Sequence, residues 1–117
     1  MNDMTTLTII KTVFDYFNVP IEIRDTKSRK REIVQSRQIA MYYLKNRTKL
    51  SLSAIGSMFL KDHATVIHSI KQVNNLSETD KCYRQDLKAI AKRIELRLFD
   101  EAPTNEWICK FYDTDKV

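Results

Sequence analysis

An all-α fold, a helix bundle containing a helix-turn-helix, is predicted by three features of this chain: scarce turn residues, apolar spacings of three and four, and well-placed helix caps. Its 117 residues include one glycine, Gly56, and two prolines, which leaves few positions able to form the tight turns of hairpins. The length suits one domain with a sizeable core, and 43% hydrophobic with 30% charged residues is the composition of a soluble folded protein.

Leu7, Ile10, Phe14 and Phe17 recur on one helical face and predict a first helix over about 5–18, stopped by Asn18-Val19-Pro20. A second, over about 30–48, has Ile33, Ala40 and Leu44 on one side and Arg31, Gln38 and Lys45 on the other. That polar stripe runs about 20 Å, the length of several phosphates along a duplex. Ser51 is the expected N-cap of a short third helix carrying Leu52, Ile55, Met58 and Phe59, which breaks at Leu60-Lys61. Asp62 then caps a fourth, running to about Leu76. Its apolar side is Val66, Ile70 and Val73 with Ile67 at the edge; Asp62, Ala64, Thr65, His68, Ser69 and Gln72 spread over the other. Ser77 with Asp80 resembles a capping box opening a fifth helix, whose Tyr83, Leu87, Ile90, Ile94 and Leu98 continue to about 99. The expected domain is therefore 1–99. Residues 100–117 form an extension in which Pro103 starts a short helix with Trp107, Ile108, Phe111 and Tyr112 packed on the domain, or offered to a partner or second copy.

Charge is unevenly distributed. Residues 27–49 carry +7, against −2 for 1–26, +1 for 50–76 and −1 for 77–117, for a net charge of +5, so the second helix and the segment before it are where a polyanion would be met. A single glycine excludes the phosphate loop, the dinucleotide turn and the nucleophile elbow, each of which needs two or more. No apolar run reaches the ~20 residues of a membrane span and the first thirty residues lack a secretory pattern, so a cytoplasmic, nucleoid-associated protein is expected. Cys82 and Cys109 are read as free thiols. Zinc is not expected: His63 and His68 lie about 140° apart on a helix and the cysteines lack close spacing. Asp62, His63 and Thr65 offer no oxyanion hole or pocket, so neither an enzyme nor a cofactor is expected.

The third and fourth helices have the length and spacing of a helix-turn-helix, whose second helix enters the major groove by its first turn. Four stretches sharpen this: S-R-K-R at Ser28–Arg31, S-R-Q-I-A-M-Y at Ser36–Tyr42, L-S-L-S-A-I-G at Leu50–Gly56 and K-D-H-A-T-V-I-H at Lys61–His68. Together they resemble the C-terminal DNA-binding domain of the bacterial replication initiator DnaA, with similarity over about 5–98. The resemblance implies a Trp-repressor-like bundle that binds a short asymmetric duplex site, the DnaA box. It further implies base contacts by Asp62, His63, Ala64 and Thr65 in the major groove and by Arg29 in the minor groove. Arg37, Gln38, Lys45 and His68 would hold phosphates, with Lys61 close by and Arg31 on the same stripe.

Three departures stand out. Phe59-Leu60-Lys61 is one residue shorter than the family's two-glycine turn, Ala64 replaces a commoner Thr, and the ATPase and oligomerisation domains have no counterpart in these residues. The expected partner is double-stranded DNA bound by a monomer, competing with the initiator for such sites. A dimeric transcription regulator, and an adaptor binding another replication or regulatory protein, are the alternatives.

Overall fold

A computed structural model of the chain describes residues 3–23 and 30–101, with side chains over 5–23 and 30–98. Five α-helices make up the described residues: α1 Asp3–Tyr16, α2 Arg31–Arg47, α3 Leu52–Ser57, α4 His63–Thr79 and α5 Lys81–Glu101. A single 3₁₀ turn, Ile21–Ile23, follows α1, and no strand is present among these residues.

α2 is the axle of the bundle, packed most extensively by α4 and α1 and to a lesser extent by α3. Seven of its residues from Ser36 to Leu44 are buried, so little more than its Arg31, Glu32, Lys45 and Asn46 edge meets solvent. The core joins Ile9, Val13 and Phe14 of α1 to Ile39, Met41 and Leu44 of α2, Ile55 of α3, Phe59, Val66 and Val73 of α4's side, and Ile90 and Ile94 of α5. Polar ties strap α5 to the first two helices. Tyr43 donates its hydroxyl to the Leu87 carbonyl at 2.6 Å, Arg47 meets Glu95 at 2.8 Å, Tyr16 donates to Asp86 at 2.8 Å, and Arg97 donates to Thr12 at 3.1 Å and Asp15 at 3.3 Å.

Several expectations are corrected. Leu7 is 54% exposed; α1 buries Ile9, Ile10, Val13 and Phe14 instead. Leu7 shares the Phe14 edge of that face but stands near the start of α1, where its side chain is left uncovered. Ser77 caps nothing. It lies inside α4, its hydroxyl donating to the Asn74 carbonyl at 2.8 Å, so the helix continues to Thr79 and Asp80 alone caps α5 by accepting from the Tyr83 amide at 3.1 Å. Ser69 is buried rather than on the open face of α4, because it stands three residues after Val66 and four before Val73. Met58 and Phe59 fall in the turn after α3, not in the helix. α5 runs to Glu101, just past the end expected at about 99. The expected last helix, with Pro103, Trp107, Ile108, Phe111 and Tyr112, lies outside the described residues, as do Arg29 and Cys109.

Candidate nucleic-acid interface

Between α3 and α4 the chain turns within five residues, and the backbone explains how. The Lys61 amide reaches the Gly56 carbonyl at 2.9 Å while the Leu60 amide reaches the Ser57 carbonyl at 3.3 Å, a Schellman closure that requires its penultimate residue to be left-handed. Leu60 takes that position at φ 54°, the conformation that glycine would adopt without a Cβ penalty. Gly56 is needed for a different reason. A Cβ there would collide with the Lys61 carbonyl oxygen and come within 3.1 Å of the Asp62 carbonyl oxygen, so the missing side chain is what lets α3 lie against the chain that launches α4.

α4 opens on Asp62, one of whose carboxylate oxygens accepts both the Thr65 amide at 2.9 Å and the Thr65 hydroxyl at 2.8 Å. Those two bonds, the amide's first, hold the Asp62 carboxyl below its ordinary range. His63 and Ala64 are exposed and Thr65 half-buried. Along the helix, Ala64 and His68 continue into exposed Lys71 on one face, opposite buried Val66, Ser69 and Val73. Lys71 stands at i+3 from His68 and i+7 from Ala64, the spacing that puts the three on one helical face.

The cations expected on the phosphate stripe are less uniform than the wheel suggests. Arg31 and Lys45 are exposed, and Gln38 and Lys61 half-buried. Arg37 shows only 8% of its surface, and that burial lowers its affinity for the proton from the usual guanidinium value. Arg31 and Gln38 share a shallow recess with Val34, Gln35, Leu76, Asp80 and Tyr83. No group of three or more His, Cys, Asp or Glu side chains converges among the described residues, and none of their helices is long and apolar enough to cross a membrane.

The family described as "Bacterial dnaA protein helix-turn-helix" matches residues 7–73. The chain belongs to this DnaA family. Chromosomal replication initiator proteins DnaA are among its relatives: that of Flavobacterium psychrophilum is 46% identical over 89 residues, 75% of this chain and 19% of that protein. The DnaA of Bacteroides fragilis is 46% identical over 90 residues, 76% of this chain and 19% of its own length, and that of Nostoc punctiforme 42% over 89 residues, 75% and 19%. The chain thus spans about a fifth of the length of these DnaA proteins. The DnaA match takes in α1 from Leu7, all of α2 and α3, the Leu60 turn and α4 as far as Val73, so the family's helix-turn-helix description covers the α3–α4 unit of this chain.

Proposed function

We propose that the chain binds double-stranded DNA sequence-specifically, at a short asymmetric site like the DnaA box, and acts in DNA replication initiation or its regulation without hydrolysing ATP. The observation that carries this reading is the first turn of α4, exposed, rigidly capped and held off the core by a turn built on Gly56. In a helix-turn-helix that turn meets base edges.

The chemistry available there is specific. Asp62 spends one oxygen on Thr65 and keeps the other to accept from the amino group of a cytosine. His63 presents ring nitrogens, and the methyls of Ala64 and Thr65 suit a thymine methyl. Thr65 gives its proton to Asp62, so its oxygen faces DNA as an acceptor. Arg31, Gln38, Lys45, Lys61 and His68 serve phosphates, and Arg37 joins them only through the fraction of its guanidinium that reaches solvent. The free amides of the first turn of α4 favour the same anions. Arg29, in the +7 segment, is assigned to the minor groove on the resemblance alone. The absence of a second glycine leaves these 117 residues without a nucleotide phosphate loop.

Selection of bound duplexes from a random pool at near-physiological salt, followed by sequencing, tests the reading. Enrichment of one short asymmetric box supports it. Enrichment of a palindrome points to a dimeric regulator, and no enrichment overturns it.

A further inference from the structure

α5 carries a row of cations that the interface above does not use. Lys81, Arg84 and Lys88 recur at i, i+3 and i+7 and are all exposed, on the side of the helix opposite buried Tyr83, Leu87, Ile90 and Ile94; Lys92, one turn further on, is exposed as well but is engaged in an interaction of its own and is not counted with them. Only one acid, Asp86, lies between Lys81 and Lys92, and it is turned towards α1, where it accepts from Tyr16 at 2.8 Å. The next acid on the row's own side, Glu95, is occupied by Arg47 at 2.8 Å. Arg84 is braced by donating to the Ser77 carbonyl at 2.9 Å, a neutral partner that leaves its charge unmatched; Glu78 and Asp80 flank the row at its start. From Lys81 to Lys88 the row extends about 10 Å along the helix. Dividing the chain's charge by segment conceals it, because the acids at 100, 101, 106, 113 and 115 bring residues 77–117 to −1.

We propose that this face of α5 is a second, sequence-independent contact for duplex DNA phosphates, so that one copy holding its site through α4 can seat another DNA segment. The proposal rests on the preceding reading for the first duplex. The chemistry of the face selects the partner. A protein interface has an apolar core with anchors and a membrane-bound helix buries an apolar side, yet no large apolar residue is exposed between Lys81 and Lys92. A line of cations with only small or polar neighbours such as Cys82 and Gln85 meets the one requirement of a phosphate backbone, positive charge spaced along it.

The test loads the full chain onto bead-immobilised duplex carrying its selected site, then adds a short fluorescent duplex of unrelated sequence at low salt. The wild-type protein should retain the second duplex and release it as salt rises. Lys81→Glu with Lys88→Glu should cut that retention about tenfold with the same amount of protein left on the beads, and Lys81→Gln with Lys88→Gln should give an intermediate loss without charge reversal, with helix content checked by circular dichroism. Undiminished retention by the folded charge-reversed protein, or no retention by the wild type, overturns the proposal. So does capture of a polyglutamate peptide but not of duplex through the same two lysines, which assigns the face to an acidic protein. If the protein does not stay on the beads, the reading of α4 fails instead, and direct binding of the unrelated duplex, with the same dependence on Lys81 and Lys88, still decides the proposal for α5.

Discussion

Tyr43 and Tyr83 are both buried, on α2 and α5, and use their hydroxyls in opposite ways. The Tyr43 hydroxyl donates to the Leu87 carbonyl, whereas that of Tyr83 is buried without a partner. A buried unmatched hydroxyl is a penalty and a matched one a modest gain. Tyr83→Phe should therefore raise stability by about 1 kcal/mol, and Tyr43→Phe lower it by about 1 kcal/mol, measured by urea unfolding. The same burial, with Asp86 and Tyr42 adding to it, pushes the Tyr83 phenol up to about 12. An unfolded tyrosine loses its proton near 10, so this group's contribution is intact below pH ~10 and declines towards ~12 as the unfolded chain ionises first. Tyr83→Phe should flatten that alkaline limb; an unchanged limb would assign it elsewhere. Left-handed backbone gives a second contrast. Asn18, at φ 57°, and Leu60, at φ 54°, both close Schellman turns, but Asn tolerates that conformation and Leu does not. Because the Leu60 side chain is 71% exposed and little packing is lost with it, Leu60→Gly should stabilise the protein by about 1 kcal/mol in the same assay.

At the scale of the element, the unit from α3 to α4 depends on Gly56 and Asp62. Gly56→Ala forces a Cβ against the backbone of Lys61 and Asp62, backbone that α4 needs in place. We expect a loss of about 1–3 kcal/mol, the range for an overpacked site, and weaker DNA binding measured by fluorescence anisotropy beyond what unfolding accounts for. Asp62 adds a pH signature. Its carboxyl is held below its ordinary range by the Thr65 amide and hydroxyl, so its contribution is present above pH ~4 and lost as the pH falls through the lower folded value. Asp62→Asn keeps an acceptor at the cap and should lose that acid dependence with little change at neutral pH, while Asp62→Ala should destabilise at neutral pH as well. Most of this unit was legible in the sequence, because Ser51, Asp62 and the 3-to-4 spacing of Leu52 and Ile55, and of Val66, Ile70 and Val73, are local signals. Ser77 misled because a serine satisfied inside a helix looks the same in sequence as one that caps the next. The burial of Ser69 was present in its spacing from Val66 and Val73 but masked by its polarity, whereas that of Arg37 depends on how closely the neighbouring helices enclose α2. The positive φ of Leu60 was legible only as a missing glycine.

Across the whole molecule, α2 and α4 divide the proposed work. Both contribute to the central core and pack on each other, so the α2 side chains proposed for phosphates and the α4 turn proposed for bases belong to one packed unit. Such a unit predicts separable defects. Lys45 is exposed at the far end of α2 from Arg31, remote in sequence from the base-facing turn. Lys45→Ala should therefore weaken specific and random duplexes alike and lower the slope of log affinity against log salt by about one. Thr65→Val keeps the shape at the first turn of α4 but removes the oxygen, and should cost about 1–3 kcal/mol on the selected box while changing random DNA far less. Sedimentation of each complex fixes the stoichiometry that these affinities presuppose, and the free protein should run as a 13.8 kDa monomer, with or without residues 103–117. Anisotropy titrations at several salt concentrations with the two variants then decide the division of labour. If Lys45→Ala alters the preferred sequence, or Thr65→Val weakens all duplexes equally, the helix assigned to phosphates and the helix assigned to bases must be exchanged or merged.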